Sequence, residues 1–122
     1  MLQVFDKYAT IFHSWRVLQY EQEDEIYLLQ IEAVLRDGSL LELRDYLFSD
    51  GRRKYAYHWM DPDNRLRRRW DNAPHWPNIS TAPHHVHLPE QSLPSSSTIT
   101  NLEELFAFIA HWLENQEGSS PP

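Results

Sequence analysis

A chain of 122 residues, of which 41% are apolar and 13% aromatic, is long enough for one hydrophobic core and too apolar to be disordered by composition. It contains no cysteine, which excludes disulfides, zinc ribbons and thiol nucleophiles. The formal net charge of −7 argues against a general nucleic-acid coat protein, and no apolar run approaches the roughly 18–20 residues that cross a bilayer. We therefore expect a soluble, cytoplasmic protein with no membrane segment and no secretory signal.

The N-terminal residues are compatible with two secondary structures. Residues 8–20 are rich in aromatic and β-branched side chains, which favour a strand. However, apolar residues between Leu2 and Phe12 also recur at helical spacing. A short helix followed by a strand, or a strand throughout, therefore fits this part of the chain. We interpret the acidic residues 21–25 as a loop.

Alternating apolar and polar residues then predict a series of strands joined by short turns. The turns are indicated by Asp37-Gly38, by Asp50-Gly51 and by residues 61–64, which combine proline with Asp and Asn. Successive strands joined by such turns form an antiparallel meander rather than a βαβ unit. The predicted strands of this series are residues 26–35, 40–47, 55–59 and 65–70.

Asp45 falls on the apolar face of its predicted strand, beside Leu41 and Leu43. Burying an unpaired charge is costly, so this carboxylate must be paired or lie near solvent. A structural ion pair with an arginine of the following basic segment is one interpretation, and a site carboxylate is the other.

The C-terminal part predicts an amphipathic helix that covers one face of the sheet. Residues 92–97 form a polar linker, and Thr100-Asn-Leu-Glu103 matches a capping box at a helix start. The helix is predicted to end near Asn115, and its apolar stripe is Leu102, Leu105, Phe106, Ile109 and Leu113. We thus predict one α+β domain over residues 1–116, with a small antiparallel sheet of about five strands, the C-terminal helix packed on it and room for a short N-terminal helix. Residues 117–122 are expected to be a disordered tail.

Most basic residues lie in one segment. Seven of the eleven fall within residues 52–69, where the acids are Asp61 and Asp63, so this segment has a charge of +5 and the rest of the chain −12. A basic hairpin on an acidic body would focus an anionic ligand onto one face. Alternatively, the arginines form a solvated strand face paired with carboxylates elsewhere.

Residues 69–87 are unlike a segment made only for packing, because they hold four of the seven histidines and three prolines. Imidazoles can accept a proton, donate one or bind a metal near neutral pH. Prolines fix the backbone and remove amide donors, so we predict a stiff loop at the end of the sheet.

One chemistry for this segment needs no metal. A neutral imidazole takes a proton from a nucleophile, a protonated one gives a proton to the leaving group, and a guanidinium holds the phosphate. In RNA the ribose 2′-hydroxyl can be the nucleophile. The candidates are His75 with His84 or His87 as base and acid, Arg69 for the phosphate and Asp71 to orient an imidazole.

Other residues are candidates for binding rather than catalysis. Trp70 and Trp76 would stack on bases or fill the core. The candidate binding residues are His58, Arg67, Trp70, Asn72 and His85.

The alternative chemistry uses a divalent metal. In an extended segment His85 and His87 project to one face and His84 to the other, so the His-x-His pair can chelate an ion. His58 or His75 would complete this site with Asp71, giving a metal-dependent phosphohydrolase. No other cofactor is expected. Two further interpretations remain: the histidines form a structural hydrogen-bond network, or the chain is a non-catalytic module that binds nucleic acid or a partner protein.

Three motifs, in this order and spacing, resemble the TumE family of small bacterial toxins: Tyr55-Ala-Tyr-His58, Arg69-Trp-Asp-Asn-Ala-Pro-His75 and Pro83-His-His-Val-His87. The resemblance implies an α+β toxin that is encoded beside a cognate antitoxin, its protein partner, and that acts on RNA as an endoribonuclease. A homodimer is compatible with it. The chain departs from the family pattern at Asp45, where glutamate is expected, and at Trp76, where a second histidine is frequent.

Overall fold

Short turns between alternating segments fold this chain into one antiparallel sheet. The computed structural model describes residues 2–117, and within them seven strands lie in the sheet in their sequence order. The strands are β1 Phe12–Glu23, β2 Ile26–Leu35, β3 Leu40–Leu47, β4 Arg53–Met60, β5 Leu66–Asp71, β6 His85–His87 and β7 Ser95–Ser96. Two helices, α1 Gln3–Lys7 and α2 Leu102–Glu117, and a 3-10 helix, Ala9–Ile11, complete the fold. The predicted α+β architecture, with its C-terminal helix and short N-terminal helix, is confirmed.

The sheet has more strands than the alternation predicted. β6 lies in the segment that we interpreted as a stiff loop, and β7 lies in the predicted polar linker. β6 pairs with β5 on one side and with β7 on the other, so His85 and His87 occupy an interior strand. Strands of three and two residues are too short to show an alternating pattern, and only their pairing with neighbours reveals them. The loop interpretation holds for residues 72–84.

The acidic residues 21–25 do not form the predicted loop. β1 continues to Glu23, and the turn to β2 lies at Asp24, whose φ is 55°, and Glu25. β1 is an edge strand with exposed residues along most of its length. Carboxylates on such a strand remain hydrated, so the acidic run is compatible with extended structure. Elsewhere the predicted turns are confirmed, with Gly38 and Gly51 at φ values of 86° and 85°.

The helix-facing side of the sheet forms the core. Alternate residues of β2 to β6 point to this side, where α2 and Phe5 of α1 pack against them. The most buried large side chains come from the aromatic and leucine positions that the alternation predicted, and they include Leu29, Ile31, Leu41, Leu43, Tyr55, Tyr57, Trp59 and Trp70. The opposite side, which we call the open face, carries polar side chains.

Helix α2 begins one residue later than the predicted capping box. Asn101 accepts a hydrogen bond from the Glu104 amide at 2.9 Å, and the Glu104 carboxylate accepts one from the Thr100 amide at 2.9 Å. Glu103 instead contacts Lys7 and Tyr8 and thereby joins α2 to α1. The helix continues to Glu117, and the rest of the predicted tail, residues 118–122, lies outside the described residues. No helix within residues 2–117 has the length and apolar character needed to span a membrane.

The carboxylate of Asp45 is paired within the core, as one interpretation of the sequence predicted. Arg53 donates to both of its oxygens, at 3.0 and 2.7 Å, and the hydroxyls of Tyr57 and Tyr27 donate at 2.6 and 3.0 Å. Burial and the Asp45 charge raise the pKa of Tyr57 well above its usual value, so this hydroxyl remains a donor. Arg53 also donates to the carbonyl of Thr100 and so connects β4 to the start of α2.

The basic segment is largely paired with carboxylates. The ion pairs are Arg52–Asp50, Arg53–Asp45, Arg67–Asp37 and Arg69–Asp71. A β-bulge in the β4–β5 ladder places Arg67 and Arg68 on the same side, where their guanidinium groups lie over aromatic rings of the core. Arg69 points to the open face. Some of these arginines therefore stabilise the fold, whereas Arg69 lines the open face.

We predict that Asp45→Ala lowers the free energy of unfolding by about 3 kcal/mol, because it leaves a half-buried guanidinium without its partner. Urea unfolding of both proteins measures the difference. Glu32→Ala is the matched control, since it removes a carboxylate from an exposed pair with Arg16 and should cost about 0.5 kcal/mol or less. Equal losses for the two variants would contradict the structural role of Asp45.

Candidate functional site

The register of β4, β5 and β6 brings the predicted site residues together on the open face. His58 is the cross-strand partner of Arg69, and Arg69 is the partner of His87. Cross-strand partners project to the same side, so these three side chains form one row. Asp71 and His85 are partners in the next row. The prediction that His85 and His87 share a face agrees with this register.

The carboxylate of Asp71 is the centre of this group. Its Oδ1 lies 2.9 Å from His85 Nε2, and its Oδ2 lies 3.5 Å from His87 Nε2 and 3.3 Å from Arg69 Nε. The amide of Ala73 donates to Oδ1 at 3.0 Å. The Asp71 side chain is only 8% exposed, so the hydrogen bonds from Arg69 and Ala73 take the place of water. We call Asp71, His85 and His87 the Asp71 cluster.

The imidazoles near Arg69 are biased towards their neutral forms. Burial lowers the pKa of His58, and the positive charge of Arg69 lowers it further. Burial likewise lowers the pKa of His87, although the Asp71 charge acts in the opposite direction. A neutral imidazole can accept a proton or bind a metal, whereas an imidazolium can do neither.

Arg69 lies between two depressions of the surface. One is on the open face and is lined by His58, Arg44, Glu32 and Glu42 as well as Arg69. The other, at the end of the sheet, has a volume of about 500 Å³. We call it the basic cleft, because its lining includes Arg52, Arg53, Lys54, Arg69 and His75, together with Asp71 and Asn72. His75 is exposed in the loop between β5 and β6.

Two of the predicted residues lie apart from this group. His84 is on the other side of the sheet, where its Nδ1 lies 2.7 Å from the Tyr55 hydroxyl and its ring stacks on that of Tyr55. Trp70 is 1% exposed and packs between Trp59 and Phe108 in the core, so it offers no surface to a base. The core-filling interpretation of Trp70 is therefore the one that fits.

Two other candidates make structural contacts. Arg67 is paired with Asp37 at 2.7 Å and lies over the rings of Trp59 and Trp112. Asn72 lines the basic cleft, but its side chain accepts from the Tyr55 amide at 3.0 Å and donates to the Arg53 carbonyl at 2.8 Å. It thus continues the pairing between β4 and β5 beyond the end of the ladder.

The sequence did not indicate that Arg52 and Lys54 lie beside Arg69, although it placed all three in the basic segment. The alternation of β4 could have suggested that Lys54 faces away from Tyr55 and the core. The loop that carries His75 to the same cleft has no periodicity from which its path could be read.

A family model described as toxin TumE matches residues 1–116, which include every residue of the site. No curated protein shows significant similarity to the chain. No solved structure does so either. The family match covers nearly the whole chain and agrees with the three motifs at residues 55–58, 69–75 and 83–87. The chain therefore belongs to the TumE family, the toxins of a toxin–antitoxin system, whose partner is a cognate antitoxin.

Proposed function

We propose that this toxin is an endoribonuclease whose active site lies at Arg69, between the basic cleft and the open face. The observation that carries the proposal is the position of Arg69. It lines both depressions, with His75 in one and His58 in the other, and it contacts Asp71. A phosphate-binding group between two imidazoles is the arrangement that acid–base cleavage of a phosphodiester requires.

The charge of the basic cleft favours RNA as the substrate. Arg52, Lys54 and Arg69 line one small depression of a chain whose net charge is −7. Such a local concentration of cations binds the phosphates of a polynucleotide backbone and attracts them to one place on an otherwise acidic protein. The planar fork of Arg69 suits a phosphate better than a lysine would, because it donates two parallel hydrogen bonds.

The reaction that fits these groups is transesterification. The 2′-hydroxyl attacks the adjacent phosphorus, and the bond from phosphorus to the 5′-oxygen breaks, leaving a 2′,3′-cyclic phosphate and a 5′-hydroxyl. We assign His58, whose pKa is lowered, as the base that takes the 2′-hydroxyl proton. His75 gives a proton to the leaving 5′-oxygen, and Arg69 stabilises the charge that develops on the phosphate. His84 has no role in this scheme because it contacts Tyr55 on the other side of the sheet.

We predict that Arg69→Ala abolishes growth arrest when the toxin is expressed without its antitoxin, and that it lowers RNA cleavage by about 100-fold or more. Cleavage by the purified variant, shown to be folded by circular dichroism, measures the effect. Arg65→Ala removes an exposed arginine from the turn before β5 and is the matched control, which should cleave normally. Normal cleavage by Arg69→Ala would remove the proposed phosphate site.

We predict that His75→Ala lowers RNA cleavage by about 100-fold or more, because the leaving oxygen loses its proton donor. The products of the native toxin should carry 2′,3′-cyclic phosphate ends, which phosphatase and polynucleotide kinase treatments identify. His111→Ala changes an exposed histidine on α2 and should leave cleavage unchanged. If no RNA is cut by the native protein but RNA still binds, the chain is a binding module rather than a nuclease.

We predict that the pKa of His58 lies below its usual value and rises towards that value in Arg69→Gln, because this variant removes one of the two influences that lower the pKa. Titration of the His58 ring protons by NMR measures both values. Burial is the larger cause, so part of the shift should remain in the variant. A His58 pKa that does not move would show that the imidazole and the guanidinium do not interact.

A further inference from the structure

We infer that Asp71, His85 and His87 form a binding site for one divalent transition-metal cation of the Zn²⁺ type. One ligand atom from each residue lies within 4.8 Å of the other two. The residues belong to the paired strands β5 and β6, so their positions are fixed by backbone hydrogen bonds rather than by a flexible loop. The inference concerns binding and does not depend on the proposed RNA cleavage.

The ring of His85 provides the strongest argument. Its Nδ1 lies 2.9 Å from the carbonyl of Pro83, which can only accept, so Nδ1 carries the hydrogen. In the neutral ring Nε2 then has a free lone pair, and this atom is buried with no hydrogen-bond partner among the described residues. Burying an acceptor without a hydrogen-bond partner is unfavourable. A cation bound to Nε2 would satisfy it.

The neighbouring carboxylate does not satisfy this nitrogen by itself. Asp71 Oδ1 lies 2.9 Å from His85 Nε2, yet a hydrogen on Nε2 would not point along that line, and no hydrogen bond forms. The Nε2 lone pair of the neutral ring occupies the direction that this hydrogen would take, so it too is left without a partner. A cation that contacts both His85 Nε2 and Asp71 Oδ1 would give each atom a partner.

The separations agree with ligation of a small cation. Ligand atoms at about 2.1 Å from a tetrahedral ion lie about 3.4 Å apart. The two distances from the Asp71 oxygens to His85 Nε2 and His87 Nε2, 2.9 and 3.5 Å, lie on either side of this value. The two distances run to different oxygens, so the carboxylate would bind the ion through both oxygens or turn to present one of them.

The proposed ligands make hydrogen bonds of the kind that usually orient metal ligands. A ligating histidine usually donates its other ring N–H to a backbone carbonyl or carboxylate, as His85 does to Pro83. Ligating carboxylates are themselves held by hydrogen bonds, and Asp71 accepts from the Ala73 amide and from Arg69. Asp71 and His85 are thus oriented before any ion arrives.

The donor set favours Zn²⁺ over Mg²⁺. Two imidazole nitrogens and one carboxylate oxygen suit first-row transition cations, whereas Mg²⁺ prefers oxygen ligands and water. Three protein ligands leave a position on a four-coordinate ion for water or a phosphate oxygen. The His87 side chain is 30% exposed, so solvent reaches the site from its side. If the proposed function is correct, this ion would share with Arg69 the binding of the RNA phosphate, and that extension rests on the proposed function.

The test is calorimetric titration of ZnCl₂ into the tag-free, full-length chain after treatment with EDTA and dialysis. We expect saturation at one equivalent and a higher midpoint of thermal unfolding in the presence of Zn²⁺. His87→Gln changes a partly exposed ligand and should keep the fold while lowering Zn²⁺ affinity at least about tenfold. His111→Ala, an exposed histidine on α2, is the control and should bind Zn²⁺ like the native chain.

The absence of saturable Zn²⁺ binding, or native affinity in folded His87→Gln, would overturn the inference. RNA cleavage by the same samples, with and without Zn²⁺, separates the two proposals. One equivalent of bound Zn²⁺ without any RNA cleavage would support the metal site and contradict the ribonuclease. Cleavage by a protein that binds no Zn²⁺ would support the ribonuclease and contradict the metal site.

Discussion

The buried carboxylate of Asp71 is the interaction on which the site depends. A carboxylate with 8% exposure is unfavourable unless its oxygens are paired, and here they accept hydrogen bonds from Arg69 and from the amide of Ala73. His85 Nε2 and His87 Nε2 lie beside the same oxygens, at 2.9 and 3.5 Å. The Asp71 carboxylate therefore holds Arg69 where it lines the basic cleft and lies next to the two imidazoles of β6.

The two faces of the sheet have different roles: one forms the core and the other carries the polar residues of the site. The helix-facing side is filled by aromatic and leucine side chains. Among the described residues, Asp45 is the only buried charged residue on this side, and its carboxylate is paired with Arg53 and two tyrosine hydroxyls. Arg53 also reaches the carbonyl before α2, so one ion pair fixes the sheet and the helix relative to each other. The open face carries His58, Arg69, Asp71 and the two histidines of β6.

Much of the fold could be predicted, because the alternation of apolar and polar residues and the residues that favour turns are local features of the sequence. Glycines at positive φ marked two hairpins, and the leucines and aromatic residues of β2 to β4 identified the core. The ion pair of Asp45 followed from a charge on an apolar face. The strand β6 could not be found in this way, since three residues carry no period and only pairing with β5 and β7 defines them.

The candidate site was harder to predict than the fold. The sequence placed His85 and His87 on one side, but the contact partners of His84, Trp70 and Arg67 depend on tertiary packing. The bulge in the β4–β5 ladder is the clearest example. Strict alternation would put Arg67 on the same face as Arg69, whereas the extra residue turns Arg67 towards the core and leaves Arg69 on the open face.

Cleavage of RNA by purified Asp71→Asn tests the central claim most directly, because this change keeps the shape of the side chain and removes its charge. The account predicts that the variant folds, that its unfolding midpoint lies only modestly below that of the native protein, and that RNA cleavage is lost. Asp61→Asn, in the turn before β5, keeps a side-chain oxygen that can accept from the amides of Asp63 and Arg65, and it should cleave like the native toxin. Full cleavage by folded Asp71→Asn would show that the carboxylate does not organise an active site.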